Sequence, residues 1–311
     1  MDRKERVKQV YQQGGNLNFG NQEYSRQVGN FISTALREDV GTGDITTQTV
    51  IPTGLEMSAV IKSKESGVFC GQQELNFLYK SQNVSLKFFI ADGQEVVKNQ
   101  KLVELTGSAQ TLLTLERVGL NIVRRMSGIA TATRSYAQLL RGSGAQVAAT
   151  RKVITCELME KRAVYVGGGL THRIGLDKHI MIKDCHLDII RKFQGVEAIE
   201  SVIAACENVK IPVEIEVETL EDGLLAAQIF ASSRYEGIPI IMLDNMLPGN
   251  ISTFCKMLEK RSLRDKVLLE ASGGITLNNL VDYGASGVDV LSTSAITEGA
   301  CSLDLHQKIG E

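Results

Sequence analysis

Val213-Glu-Ile-Glu216-Val-Glu218 alternates apolar and acidic residues with a period of two. On a strand it presents one apolar face and one face carrying three carboxylates. Five other short apolar runs in the same half of the chain also end in charged or small polar residues. They are Val147-Ala-Ala-Thr-Arg151-Lys152, Ile180-Met-Ile-Lys183-Asp184, Ile240-Ile-Met-Leu-Asp244-Asn245, Val267-Leu-Leu-Glu270-Ala-Ser272-Gly-Gly274 and Val288-Asp-Val-Leu-Ser292-Thr-Ser294. Segments of helical length separate most of them. Repeated strand–helix units build a parallel sheet, and polar residues at the C-terminal ends of its strands mark where a β/α barrel does its chemistry. Only six strands are legible, which predicts an α/β fold with an incomplete barrel. Lys, Arg, Glu and Asp together at those ends point to a highly anionic, metal-bound substrate.

The 311 residues suffice for one large domain or two ordinary ones, and 43% hydrophobic content can fill a sizeable core. No uncharged apolar stretch is long enough for a membrane span. The opening Met1-Asp-Arg-Lys-Glu-Arg6 lacks the apolar core of a secretory signal, and cysteine usage adds the expectation of a cytoplasmic, reduced protein. A net charge of -2 gives no electrostatic footprint for nucleic acid. The six cysteines contain no CxxC pair and suggest neither a zinc site nor a disulfide framework. His172, His179 and His186 recur at sevens. Gly175 and the strand-like Ile180-Met-Ile interrupt them, so they would not share a helical face and are not read as a metal site.

Residues 1–28 are polar without a convincing period and read as a mobile arm or a short docking helix. Phe31 to Val40 has helical spacing, with Gly41 as its stop. Gly41-Thr-Gly-Asp44-Ile-Thr-Thr47 turns the chain. Met57–Lys62, Val84–Ile90 and Gln100–Gly107 read as strands, and Thr111–Leu140 as a helix. The expected organisation is a polar arm (1–28), a sandwich-like α+β domain (29–115), a β/α barrel (116–296) and a C-terminal tail (297–311).

Four constellations carry chemistry. The acidic face of 213–218 would point into the barrel, where unpaired charge is costly, so Lys152, Lys183 and Arg173 are expected opposite it. This is either a structural ion-pair network or a site in which Glu216 and Asp244 hold magnesium with the ligand's phosphates. Gly167-Gly-Gly169-Leu-Thr-His172-Arg173 allows close backbone approach and offers donors for a carboxylate. Arg151-Lys152 at a strand end suits a phosphate or carboxylate. Ser272-Gly273-Gly274, completed by Ser292 and Ser294, has the composition of a late-strand phosphate site.

Together these segments resemble the quinolinate phosphoribosyltransferase family, from about Phe31 to Ser294. The resemblance rests on Glu38-Asp-Val-Gly-Thr-Gly-Asp-Ile-Thr-Thr47, Glu116-Arg117 with Leu120-Asn121, Ser127-Gly-Ile-Ala-Thr131, Thr150-Arg-Lys152, and Gly167-Gly-Gly with His172-Arg173-Ile-Gly-Leu176. It continues in Ile182-Lys-Asp184, Glu216, Leu243-Asp-Asn-Met246 and Glu270-Ala-Ser-Gly-Gly-Ile-Thr276. It implies a type II phosphoribosyltransferase fold. The implied reaction is magnesium-dependent transfer from phosphoribosyl pyrophosphate to quinolinate with decarboxylation, giving nicotinate mononucleotide for NAD synthesis. Arg117, Arg151, His172 and Arg173 would hold the dicarboxylate, and Lys152 and Lys183 would contact both substrates. Glu216 and Asp244 would serve ribose and magnesium, and Ser272 to Gly274 the 5′-phosphate. The resemblance also implies a homodimer or larger assembly with Arg117 entering the neighbour's site.

The chain departs from the family pattern at Val153-Ile-Thr-Cys-Glu157-Leu, at Thr171 and Cys185 where Asn is usual, at Ser294-Ala295 for Gly-Ala, and at Thr297-Glu298 for Thr-His. These positions cluster on the acceptor side. Three alternatives therefore stand beside the first reading: transfer to another heterocyclic acid, a lyase barrel with Lys152 or Lys183 as Schiff base, and a non-catalytic ligand sensor.

Overall fold

The computed structural model describes residues 1–194 and 198–310. The chain opens with helices α1 (Arg3–Tyr11), α2 (Gln22–Val40) and α3 (Ile45–Val50). Strands β1 (Glu56–Ser63) and β2 (Gly67–Val68), helix α4 (Gln72–Lys80), and strands β3 (Ser85–Phe88), β4 (Glu95–Val96) and β5 (Lys101–Ser108) follow. The 31-residue helix α5 (Ala109–Leu139) comes next. Strand and helix then alternate through β6 (Gln146–Ala148), α6 (Glu157–Gly167), β7 (Ile180–Ile182), α7 (Asp184–Gln194), α8 (Ala198–Ala205), β8 (Val213–Val217) and α9 (Leu220–Ser232). They continue as β9 (Pro239–Asp244), α10 (Pro248–Lys260), β10 (Leu268–Ser272), α11 (Leu280–Gly284) and β11 (Val290–Ser292), and β12 (Leu305–Ile309) ends the chain.

These elements form two compact units, each discontinuous in sequence. The α+β unit comprises Gly14–Ser135, Lys152–Gly168 and Ile296–Glu311. Its main sheet is four-stranded and antiparallel in the order β12-β1-β5-β3. Ala59, Val60 and Ile61 of the central β1 are all buried, as expected of a strand flanked on both edges and covered on both faces. Asn21 caps α2 by accepting from the Glu23 and Tyr24 amides, and Gly41, with φ +57, ends it. The stretch from Gly41 does more than turn: Asp44 accepts from the Thr47 amide at 2.9 Å and starts α3. Residues 297–310 are not a tail. Their end is an edge strand, with Leu305 opposite Ser63 and Ile309 opposite Ala59. Leu303 and Leu305 are buried, and this burial holds the chain end in place.

The barrel unit comprises Met1–Gln13, Tyr136–Arg151 and Gly169–Ala295. Its six strands are parallel in the order β6-β11-β10-β9-β8-β7. The barrel is incomplete: β6 and β7 are the two edges, and Leu170 adds one parallel bridge to Ala148 on the β6 side. A linear division at 115/116 and 296/297 does not describe these units. The helix α5 runs through the proposed boundary, α6 joins the α+β unit, and the first helix joins the barrel.

That helix is a docked element, not a free arm. Asp2 and Glu5 form a reciprocal capping box at its start. Val7, Val10 and Tyr11, at i, i+3 and i+4, pack into one core cluster with Ala148, Leu170, Ile238, Ile240, Leu268 and Val290. Nine residues would be marginal as an isolated helix, so this packing is what holds α1 folded.

Candidate active site

Parallel register brings the strand ends to one edge. Ala148, Ser292, Ser272 and Asp244 lie side by side across β6, β11, β10 and β9. On the other flank Ile182 lies opposite Ile215, so Lys183 and Glu216 both follow that pair. Lys183 Nζ donates to Glu216 Oε2 at 2.8 Å. Burial works against the Lys183 charge, but the hydrogen bond and charge of Glu216 outweigh it and hold the ammonium above the ordinary lysine range. Asp244 is half-buried, and its carboxyl is pushed up first by burial and then by repulsion from Glu216. Glu216 and Asp244 together offer a hard oxygen donor set that suits a divalent cation such as magnesium.

The phosphate-site reading falls on a loop built around glycine. Gly273 and Gly274 have φ of +92 and +65, a region costly for side-chain-bearing residues. A Cβ on Gly273 would sit 2.2 Å from Asn245 Oδ1, whereas a Cβ on Gly274 would meet no described residue within 4 Å apart from its chain neighbours, which leaves the approach to the backbone open. The Asn245 amide donates to the Ser272 carbonyl at 2.9 Å. Asn279 accepts from the Thr276 amide at 2.8 Å and donates to the Gly274 carbonyl at 3.0 Å, which fixes the loop's far side. Ser292 is buried at the end of β11 and Ser294 is half-buried just beyond it.

The three glutamates of β8 do not form one ion-pair row. Glu218 lies beyond the strand and is exposed, Glu216 takes Lys183, and Glu214 is fully buried. What meets Glu214 is histidine: His179 Nε2 lies 2.8 Å and His172 Nε2 3.8 Å from its Oε2. Residues 170–180 cross from the β6 edge to the β7 edge, and this crossing stacks the His172 and His179 rings 5.6 Å apart. The third histidine is elsewhere: exposed His186 accepts from the Lys183 amide at the start of α7. The break at Gly175 therefore separates the histidines along the chain but not in space. The donor atoms of His172, His179 and Glu214 lie within 4.8 Å of one another.

His172 Nε2 also faces Glu270 at 3.2 Å, and its Nδ1 accepts from the Arg173 amide at 2.7 Å. Both ring nitrogens are thus engaged within the cluster, an arrangement that fits the tautomer with its hydrogen on Nε2. Burial, then the Glu270 charge, pushes the Glu214 carboxyl well up. Glu270 is held below the ordinary carboxylate range. Burial opposes its charge, but His172, with Nε2 at 3.2 Å, prevails. Burial pushes His179 down to about 4. Tyr11, His179, Glu214 and Glu270 were not assigned roles from sequence. The acidic stripe and the histidine spacing are the available signals for Glu214 and His179; neither marks Glu270 or Tyr11.

Arg117 and Lys152 belong to the α+β unit, and Arg151 is exposed beyond β6 in the barrel unit. Arg117 lies on an exposed face of α5, where it lines a cavity of about 460 Å³ with Phe31, Glu38, Asn121, Arg125 and Met159. The altered loop after Lys152 is anchored in this unit: Glu160 accepts from the Thr155 amide at 3.0 Å and pairs with Arg125 at 3.1 Å. Thr297 reaches the Lys152 carbonyl at 2.8 Å, and Arg125 donates to the Thr297 carbonyl at 2.8 Å. Cys185 is exposed, its amide bonded to Asp184. No helix among the described residues is long and apolar enough to cross a membrane.

Family models match both halves of the chain: Quinolinate phosphoribosyl transferase, N-terminal domain, over residues 44–127, and its C-terminal domain over 129–308. A probable nicotinate-nucleotide pyrophosphorylase [carboxylating] of Methanothermobacter thermautotrophicus is 38% identical over 282 residues, covering 89% of this chain and 97% of the relative. The Mycobacterium leprae nicotinate-nucleotide pyrophosphorylase [carboxylating] is 35% identical, covering 88% and 94%. The solved nicotinate-nucleotide pyrophosphorylase of Francisella tularensis superposes with a TM-score of 0.78 at 31% identity, covering 91% of this chain and 96% of that one.

Proposed function

The chain belongs to the quinolinate phosphoribosyltransferase family, and from that premise we propose that it transfers the phosphoribosyl group of phosphoribosyl pyrophosphate to quinolinate with loss of CO2. The products are nicotinate mononucleotide and pyrophosphate, feeding NAD synthesis, and the enzyme class is pentosyltransferase. The observation that carries this reading is the edge shared by six parallel strands: Lys183, two carboxylates and a glycine loop lie along it.

The residues divide the work by charge. The Ser272–Gly274 loop, with Ser292 and Ser294, receives the 5′-phosphate through hydroxyls and backbone amides. Arg151 and Arg173 bind the acceptor's carboxylates, with His172 setting the backbone beside them. Lys152 and Lys183 supply fixed positive charge to the acceptor and the leaving pyrophosphate. The pyridine nitrogen attacks the anomeric carbon as the bond to pyrophosphate breaks, and positive charge grows on the ribose. Glu216 and Asp244 stabilise that charge electrostatically. Glu216 and Asp244 would also hold magnesium, which when bound neutralises charge on the departing pyrophosphate. Decarboxylation beside the pyridinium nitrogen needs chiefly orientation, because the cationic ring accepts the electron pair.

A two-fold dimer is part of the proposal, with Arg117 of each copy completing the other's acceptor site. The exposed position of Arg117 on a concave face supports this. The lyase alternative is disfavoured by Lys183, whose ammonium is stabilised, the opposite of what a Schiff-base lysine requires. The test is pyrophosphate release with phosphoribosyl pyrophosphate, magnesium and a panel of pyridine and azole carboxylates. Quinolinate should be the preferred acceptor; good turnover of another base with none of quinolinate would reject the reading.

A further inference from the structure

Residues 11–13 run against residues 169–172 as a clasp. The Tyr11 carbonyl accepts from two donors, the His172 amide at 3.0 Å and Thr171 Oγ1 at 2.8 Å. Thr171 Oγ1 in turn accepts from the Gln13 amide at 2.9 Å. The Tyr11 ring meets His172 edge-on, with centroids 5.1 Å apart and planes at 84°. Its hydroxyl is fully buried beside Glu270. Thr171 lies at the centre of the clasp. A hydroxyl there serves two partners at once, as donor to the carbonyl of Tyr11 and acceptor for the amide of Gln13.

The clasp holds an unusual piece of backbone. His172 has φ +56, a left-handed conformation that a residue with a side chain adopts only when its surroundings require it. The surroundings are the Tyr11 carbonyl on its amide, Glu270 on its Nε2 and the Arg173 amide on its Nδ1. With both ring nitrogens engaged, what His172 delivers to the barrel mouth is the direction in which the chain enters Arg173.

We propose that the N-terminal helix is a working part of the acceptor site. Tyr11, acting through Thr171, and Glu270, acting on the His172 ring, are positioning residues for Arg173. This rests on the reading of Arg173 as a ligand of the acceptor's carboxylate. A guanidinium that binds a carboxylate bidentately is sensitive to small displacements. Loosening the clasp should therefore weaken acceptor binding selectively, while the phosphoribosyl side keeps its geometry.

Two measurements on the full-length protein decide it. The first is steady-state kinetics of Thr171→Val and Thr171→Ser, and of Glu270→Ala and Glu270→Gln. Val keeps the shape but makes neither bond; Ser keeps both. Gln keeps an oxygen facing His172. Val and Ala should raise the acceptor KM about tenfold or more, on the scale of one lost buried hydrogen bond to a charged or oriented group. Within about twofold, the phosphoribosyl pyrophosphate KM and kcat should hold, and Ser and Gln should restore most of the loss. Unchanged acceptor KM in folded Val and Ala variants, or equal losses in every parameter, overturns the proposal.

The second measurement needs no substrate. Nitrogen NMR of histidine-labelled protein, with the His172 signals assigned through His172→Gln, should show its proton on Nε2. A proton on Nδ1 overturns the clasp geometry, as does a stoichiometric metal ion found on His172, His179 and Glu214 by elemental analysis. A protein inert toward quinolinate that still carries the Nε2 proton would fail the proposed reaction and leave the clasp standing.

Discussion

Lys183 Nζ and Glu216 Oε2 are 2.8 Å apart across adjacent parallel strands, and Asp244 stands at the end of the next strand. One lysine thus serves two carboxylates that repel each other, and the remaining negative charge calls for a cationic ligand or a developing cation. Glu216→Gln and Asp244→Asn should each lower turnover by ~10²-fold or more, the scale of losing one electrostatic stabiliser. Thermal midpoints should fall little, because each change keeps the side chain's shape. Near-normal rates in both variants would show that the ribosyl site lies elsewhere. Borohydride with quinolinate should trap no covalent adduct on Lys183.

Gly273→Ala tests the phosphate loop. The new methyl would face Asn245 Oδ1 at 2.2 Å on a backbone with φ +92. A left-handed conformation costs a side-chain-bearing residue about 1–2 kcal/mol. Stability should drop by about that much, and the KM for phosphoribosyl pyrophosphate should rise more than that for the acceptor. An unchanged KM for phosphoribosyl pyrophosphate would remove this loop from the 5′-phosphate.

The strands that position this chemistry are legible because their patterns are simple: Val213 to Val217 alternates, and Ile240 to Leu243 is a continuous buried run. The seam between β6 and β7 is not legible. Its residues come from the N-terminal helix, from a crossing loop and from inside an otherwise apolar strand, where Glu270 stands between Leu269 and Ala271. Only three apolar positions mark α1 within nine polar-rich residues, and its fold depends on a core contributed by the distant half of the chain. The strand β12 is hidden for the same reason: it pairs with β1, more than two hundred residues earlier. Local pattern reports what a segment buries, not which remote partner completes it.

His179 gives the seam a pH signature. Its pKa is about 4 in the folded protein against 6.5 for a free side chain, so below 6.5 the unfolded chain takes up a proton that the native state refuses. Stability associated with this group is complete above pH 6.5 and is lost as pH falls toward 4. The loss should approach about 3 kcal/mol, because each pH unit between the two values is worth roughly 1.4 kcal/mol. Urea unfolding between pH 7.5 and 4 should show that loss in the wild type and a distinctly shallower one in His179→Gln. Parallel curves would mean that His179 titrates normally.

Subunit sharing is tested by complementation. Arg117→Ala and Lys183→Ala proteins should each be nearly inactive. After co-refolding in equal amounts, half the dimers are mixed, and each mixed dimer has one site with both defects and one intact. Activity should recover to roughly a quarter of wild type for random two-fold mixing. No recovery in verified mixed dimers would place Arg117 in its own subunit's site or outside the site.

The central claim is the reaction itself. The most direct measurement follows quinolinate labelled in its 2-carboxylate, with phosphoribosyl pyrophosphate and magnesium, and counts CO2 and pyrophosphate together. Equal release of the two, with nicotinate mononucleotide as the nucleotide product and far weaker turnover of nicotinate, is the predicted result. Pyrophosphate release without CO2, or CO2 release without pyrophosphate, would contradict it.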